Sequence, residues 1–154
     1  MRLRTARLDD VPALARLERD CFGDQAWSEA VVQAELADVP GIRYVVVAAE
    51  GDSLVGYGVL SVASKTADIQ RVAVAAGCRR RGTGRRLLAE LLHEASRRGC
   101  STVLLELAAD NVAARALYAA AGLSTVTARQ DYYGPGRDAV VMSRSLDGGT
   151  AGSE

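Results

Sequence analysis

A short segment rich in arginine and glycine holds the residues best suited to bind a ligand. It reads Arg79-Arg80-Arg81-Gly82-Thr83-Gly84 and separates a predicted strand, residues 67–74, from a predicted helix, residues 85–98. Glycine lets the backbone approach a bound group closely. The helix N-terminus adds unpaired N–H groups and the positive end of the helix dipole, and the arginines add charge. Together these features favour a pyrophosphate-binding loop.

Two common nucleotide-binding motifs do not fit this segment. The P-loop pattern GxxxxGK[ST] does not occur, and the dinucleotide pattern GxGxxG lacks its third glycine, because Arg85-Arg86-Leu87 follows Gly84. A solvated basic turn and a nucleic-acid patch are the alternatives. However, no aromatic residue accompanies the arginines to stack on a base. Nineteen basic residues also balance nineteen acidic ones, so neither nucleic acid nor a membrane is an expected partner.

Two further positions place polar groups in apolar surroundings. Glu106 interrupts the predicted strand 103–107 and shares a strand face with Leu104. A carboxylate there is costly unless it has a partner or faces a solvated cleft, so Glu106 is either a general base or a charge at a strand end. Tyr118 follows Asn111 by two turns of one predicted helix. Tyr118 is either a functional residue or a tyrosine that anchors the core. Asn111 is either a ligand-binding residue or the cap of that helix.

The periodicity of apolar residues predicts the elements that position these groups. The first helix is expected to begin after Asp9 or Asp10, with Pro12 in its first turn, and the second after Ser28. The predicted strands cover residues 2–8, 44–49, 54–62, 67–74, 103–107, 123–128 and 139–144; the later helices cover 85–98 and 111–121. The resulting order, β-α-α-β-β-β-α-β-α-β-β, is typical of an α/β fold in which helices cover a mixed sheet.

Length and composition predict one domain at residues 1–146, followed by a disordered tail at residues 147–154, since the chain has 154 residues and 49% apolar content. The three cysteines form no CxxC pair, and His93 has no ligand partner at helical spacing, so no metal site is expected. Sparse cysteines fit a reducing compartment. The N-terminus also lacks the apolar core of a signal peptide, so we expect a cytoplasmic protein.

The loop pattern [R/Q]xxGxG/A at a strand-to-helix junction resembles that of the GNAT superfamily of acetyl-CoA-dependent N-acetyltransferases. The order of elements resembles that superfamily across residues 2–145. Within it, the chain is similar to the ribosomal-protein-alanine N-acetyltransferases, the RimI type. The motifs that carry this similarity are Ala26-Trp27-Ser28-Glu29, Arg71-Val72-Ala73-Val74, Leu104-Leu105-Glu106-Leu107, Asn111-x-x-Ala114-x-x-Leu117-Tyr118, Asp131-Tyr132-Tyr133 and Asp138-Ala139-Val140-Val141-Met142. Two positions depart from the family pattern: Ala108 stands where Arg is usual, and Leu123 where Phe is usual.

The resemblance implies a fold, a co-substrate and residue roles. The GNAT fold has a twisted mixed sheet of about six to seven strands flanked by about four helices, with strands 67–74 and 102–107 diverging to admit the cofactor. Acetyl-CoA is the implied co-substrate, with no metal. Its pantetheine arm would bind the main chain like an added strand. The implied cofactor-binding residues are Val72, Ala73, Val74, Arg79, Arg80, Arg81, Gly82, Thr83, Gly84, Arg85 and Asn111.

The implied reaction is acetylation of the α-amino group of a protein N-terminus, an N-terminal alanine of a small-subunit ribosomal protein above all. Because an α-amine has a pKa near 8, it must lose a proton before it attacks, and Glu106 is the implied general base. Tyr118 is the implied general acid. Trp27, Tyr132 and Tyr133 are either an acceptor groove or packing residues. A small-amine acetyltransferase and a non-catalytic acyl-CoA sensor are the alternatives, and the expected assembly is a monomer or weak dimer.

Overall fold

The computed structural model describes residues 1–39 and 41–146, and that part of the chain forms a seven-stranded sheet and four α-helices. In chain order the elements are β1 (Arg2–Thr5), α1 (Val11–Phe22), α2 (Glu29–Ala37), β2 (Arg43–Glu50), β3 (Ser53–Ala63), β4 (Thr66–Val74), α3 (Thr83–Arg97), β5 (Thr102–Ala108), α4 (Val112–Ala120), β6 (Ser124–Arg129) and β7 (Ala139–Ser145). The predicted element order and mixed sheet are confirmed. The predicted tail, residues 147–154, lies outside the described residues.

Two element boundaries differ from the sequence-based prediction by more than one residue. Strand β1 ends at Thr5, and a short 3-10 turn follows, because the Asp10 carboxylate accepts the Arg7 N–H at 2.7 Å and pairs with Arg4 at 2.9 Å. Asp10 therefore precedes α1 without capping its first turn. Helix α3 begins two residues earlier than predicted, directly after Gly82, whose left-handed backbone (φ 81°) starts the helix.

The sheet runs in the order β1-β2-β3-β4-β5-β7-β6, and helices cover both of its faces. On one face, Leu87, Leu88 and Leu91 of α3 are fully buried in a cluster with strands β2 to β5. Helices α1 and α2 cover the opposite face, where their buried apolar residues include Leu14, Leu17, Val32 and Leu36. The amphipathic spacing of these leucines and valines dictates which side of each helix meets the sheet. Within the described residues, none of the helices is both long and apolar enough to cross a membrane.

The centre of the sheet opens between β4 and β5. These strands pair in parallel from Thr66↔Thr102 to Asp68↔Leu104, and the pairing stops there. A bulge at Gln70 then shifts the register of β4 against β3, and such a bulge bends the strand that carries it. Strand β5 instead stays paired with β7 along its whole length. The predicted divergence of the two strands is therefore present, and it creates a cleft.

Candidate active site

A cavity of about 720 Å³ occupies this cleft. Its walls come from the end of α1, the second half of β4, the loop before α3 and the start of α4. The lining residues are Cys21, Phe22, Val72, Ala73, Val74, Arg79, Arg80, Gly82, Gly84, Arg85, Asn111, Ala113, Ala114 and Leu117. Most of the predicted cofactor-binding residues are therefore brought together around one concave space, the usual form of a small-molecule site.

The edge of β4 supplies backbone groups to the cavity. Beyond Asp68, β4 pairs only with β3 among the described residues. The paired residues include Val72, Ala73 and Val74. The other edge of these residues faces the gap left by β5. An extended ligand arm with amide groups can hydrogen-bond to such an edge as an added strand does.

The loop between β4 and α3 is shaped to bind anions. Arg80 (φ 65°) and Gly82 (φ 81°) both adopt left-handed backbone conformations, and turns of this kind gather N–H groups around a concavity. The first hydrogen bond of α3 runs from the Arg86 N–H to the Gly82 carbonyl at 3.0 Å, so the N–H groups of the first turn remain for a ligand. Arg79 is anchored by donation from Nε to the Val74 carbonyl at 2.9 Å.

Two predicted cofactor residues direct their side chains elsewhere. The Arg81 guanidinium lies 3.6 Å from the Glu50 carboxylate on the outer surface. The Thr83 side chain is buried, and its Cγ2 lies 3.4 Å from the position that a Cβ on Gly56 would take. Any contribution of Arg81 and Thr83 to phosphate binding therefore rests on their main-chain N–H groups.

Glu106 lies on the open side of β5. Its neighbours Val103, Leu105 and Leu107 are buried on the opposite side, as the alternation predicts. The Glu106 side chain is 29% exposed, and its Oε1 lies 3.7 Å from Nη1 of Arg129. The carboxylate is therefore solvated and partnered, which removes the energetic objection to a charge on this strand.

Tyr118 lies on the inner side of α4 and is 8% exposed. Burial raises the pKa of its phenol to about 12, so the hydroxyl keeps its proton at neutral pH and can donate a hydrogen bond. Immediately before α4, the Asn111 side chain accepts the Ala114 N–H at 3.2 Å, and Asn111 also lines the cavity. Asn111 is thus the cap of α4, and its position on the cavity wall is compatible with the predicted role in cofactor binding.

Comparison with known proteins decides the family. The sequence model of the Acetyltransferase (GNAT) family matches residues 11–123. The chain belongs to the GNAT family. It is 40% identical over 141 residues to the N-alpha-acetyltransferase RimI of Mycobacterium tuberculosis (strain ATCC 25618 / H37Rv), covering 88% of this chain and 86% of that protein. It is 33% identical over 138 residues to the [Ribosomal protein bS18]-alanine N-acetyltransferase of Escherichia coli (strain K12), covering 87% and 90% respectively.

The fold of this GNAT protein also matches that of a solved structure. The crystal structure of the ribosomal-protein-S18-alanine N-acetyltransferase from Escherichia coli superposes with a TM-score of 0.85 at 26% identity, over 94% of this chain and 93% of that chain. An uncharacterized protein of Mycobacterium leprae (strain TN) is 38% identical over 141 residues, and the chain spans 38% of that protein's length. The RimI-like character predicted from the motifs is confirmed.

The predicted acceptor residues of the GNAT protein fall into two groups. Tyr132 and Tyr133 are exposed in the connection between β6 and β7 and pack edge to face, with ring centroids 5.1 Å apart. Burial raises the pKa of the Tyr133 phenol, and the charge of Glu106 raises it further, which places the Tyr133 hydroxyl within the electrostatic reach of Glu106. Trp27 is half-buried and lies against Arg71 instead.

Sequence reasoning missed several residues of the site. Cys21 and Phe22 line the cavity from the end of α1, where they were indistinguishable from other apolar positions of an amphipathic helix. Glu18 is completely buried beneath them. A signal for Glu18 did exist, because it stands four residues after Leu14 and therefore on the buried stripe of α1. A carboxylate on such a stripe requires buried partners.

Proposed function

We propose that this GNAT protein transfers the acetyl group of acetyl-CoA to the α-amino group of a protein N-terminus. The observation that carries the proposal is the cavity that opens beside the edge of β4 where its pairing with β5 stops. The anion-binding loop lines this cavity, and Glu106 lies on β5, the strand across the gap. A long co-substrate bound by its phosphates at the loop would extend along β4 toward that strand. The names of the relatives support an amine at a protein N-terminus as the acceptor.

The cavity offers the chemistry that acetyl-CoA requires. The loop supplies N–H groups from Arg80 to Arg85 and arginine charge for the phosphates. The edge of Val72 to Val74 supplies main-chain groups for the pantetheine amides. Acetyl-CoA itself supplies a thioester, whose carbonyl carbon is open to attack by an amine.

Glu106 and Tyr118 divide the proton transfers in this proposal. Glu106 takes the proton of the α-ammonium group, directly or through one water molecule, so that the neutral amine attacks. As the C–N bond forms and the C–S bond breaks, the attacking nitrogen loses a second proton to solvent, and the departing thiolate takes up one proton. Tyr118 then supports the leaving sulfur with its phenolic proton. Since a thiol has a pKa of about 8.5 and burial raises that of Tyr118 to about 12, Tyr118 acts chiefly as a hydrogen-bond donor, and full transfer is coupled to departure of the thiolate.

Peptide acetylation followed by thiol release tests the proposal. Matched peptides that begin with Ala, Met, Ser or Lys are compared with one whose α-amine is blocked, and Tyr118→Phe accompanies the wild-type protein. We expect release only with a free α-amine, highest for alanine because the relatives are named for an alanine acceptor. Release that ignores the blocking group, or that appears only with small amines, would assign another acceptor. Binding of acetyl-CoA without turnover of any amine would make the protein an acyl-CoA sensor.

A further inference from the structure

A buried ion pair lies between the cavity and the predicted acceptor side. Glu18 of α1 is fully buried, and its carboxylate accepts hydrogen bonds from the Tyr57 hydroxyl and, at 2.7 Å, from the Trp27 N–H. Arg71 of β4 donates to both carboxylate oxygens at 3.2 Å through Nε and Nη2. Taking a carboxylate and most of a guanidinium out of water is costly, and apolar residues of similar volume in their place are often equally or more stable. The pair therefore calls for an explanation beyond stability.

Arg71 is held in a fixed orientation by aromatic rings. Its guanidinium lies 4.1 Å from the centroid of the Phe22 ring and 4.6 Å from that of the Trp27 ring. Planar stacking of this kind suits arginine and not lysine. Phe22 lines the cavity, and Arg71 directly precedes Val72 of the cavity edge. Trp27, one of the predicted acceptor residues, stacks on the same guanidinium, so Arg71 contacts both a wall of the cavity and the predicted acceptor side.

The connection between α1 and α2, residues 23–28, makes hydrogen bonds to both members of this pair. Its Trp27 N–H donates to Glu18, and its Gln25 carbonyl accepts from Nη2 of Arg71 at 3.0 Å. The other hydrogen bonds that residues 24–27 make within the described part of the chain are local, such as Ala26 N–H to the Gly23 carbonyl at 3.1 Å. Loss of the pair would therefore remove the hydrogen bonds that fix the connection to α1 and β4, and would leave it held by the packing of Trp27 against the core.

We propose that Glu18 and Arg71 are positioning residues that hold the α1–α2 connection as a wall of the acceptor site, and that they thereby set the affinity for the acceptor N-terminus. The inference rests on the proposed function for its kinetic part. It assigns no contact with the acetyl group to either residue. Removing the pair should therefore weaken acceptor binding more than it weakens acetyl-CoA binding.

Three variants and one control test the proposal. Arg71→Met keeps the apolar stem against Phe22 and removes the charge, and Arg71→Lys keeps the charge without the planar fork. The double variant Glu18→Gln/Arg71→Met leaves no buried charge unpaired, so it remains informative if Arg71→Met alone unfolds. The control, Arg43→Met, breaks an ion pair between β2 and α2, where Nε of Arg43 lies 2.9 Å from Glu35. The chain contains a single tryptophan, Trp27, so its fluorescence reports on the connection directly.

We expect the KM for the acceptor peptide to rise about tenfold in Arg71→Met and in the double variant, with the KM for acetyl-CoA changed less than about twofold. Arg71→Lys should fall between these variants and the wild type. Trp27 emission should shift to longer wavelength and acrylamide quenching should increase in the same variants, and the control should leave both readouts unchanged. An unchanged acceptor KM, or an equal rise in both KM values, would overturn the inference. If the wild type acetylates no peptide, the proposed function fails. Separately, unchanged Trp27 emission and quenching in the variants would refute the positioning role.

Discussion

The proposed cofactor cavity and the proposed acceptor side of this protein are built in different ways. Most of the cavity lining comes from one stretch of chain, residues 72–85, and much of what it offers is main-chain N–H and C=O. The acceptor side combines Glu106 on β5, Tyr133 after β6 and the connection around Trp27, which are distant in the chain. Backbone groups survive substitution, whereas side chains do not. Acceptor specificity can therefore diverge while cofactor binding stays the same.

Glu106→Gln should give the largest difference between the effect on peptide turnover and the effect on acetyl-CoA binding. The amide cannot accept the proton of the acceptor, so we expect kcat/KM for an alanine peptide to fall by about a hundredfold or more. Glu106 is not among the described residues that line the cavity, so the Kd of acetyl-CoA should stay the same. Stopped-flow or thiol-release kinetics with parallel calorimetry measure both quantities. A matching loss of acetyl-CoA affinity would show that the two regions are not separate.

Gly84→Leu should do the reverse. A Cβ at Gly84 would meet Leu117 and Val74 at 3.5 and 3.7 Å, which is ordinary contact, and both of these residues line the cavity. The longer side chain would occupy ligand space and hinder approach to the backbone N–H groups, raising the Kd of acetyl-CoA by about ten- to a hundredfold. Gly77→Leu is the matched control, because a Cβ there meets nothing within 4 Å. Equal affinity of both variants for acetyl-CoA would show that the cofactor does not bind at this loop.

The pH dependence of the reaction distinguishes the groups that titrate. The neutral fraction of an α-amine rises about tenfold between about pH 7 and about pH 9, so kcat/KM for the peptide should rise with it. Burial raises the pKa of Tyr118 to about 12, so its phenol keeps its proton and the profile should stay level up to about pH 10. A fall between about pH 8 and about pH 10 would show that Tyr118 titrates in the normal range or that another acid is required.

Tyr133→Ala should have the smallest effect. Tyr133 is exposed, and the charge of Glu106 raises the pKa of its phenol, so loss of its ring would remove one side of the proposed acceptor groove and leave the cavity intact. We expect the KM of the peptide to rise about fivefold, equal to about 1 kcal/mol, with the KM of acetyl-CoA unchanged. Tyr133→Phe retains the ring and separates packing from the hydroxyl. If neither variant alters the peptide KM, the tyrosine pair is not part of the acceptor groove.

Local patterns in the chain were sufficient to predict the elements and their order. The leucine stripe of α3 and the cap of Ser28, whose Oγ accepts the Val31 N–H at 3.2 Å, both act within a few residues of sequence. The boundary errors have a different cause. Strand β1 ends early because Asp10 bonds to Arg4 and Arg7, a choice between partners that periodicity does not contain.

The cofactor loop, too, is visible in the chain alone, because two glycines, the arginines and a helix start are contiguous there. Glu106 and Tyr118 stand out in the chain because each polar group interrupts an apolar pattern, and their proposed roles rest on the resemblance to the GNAT superfamily. Tertiary structure decided the remainder. Cys21 and Phe22 reach the cavity, and Glu18 meets Arg71, only because α1 packs across β3 and β4. Periodicity tells which face of a helix is buried; it does not tell which buried group on another element that face will meet.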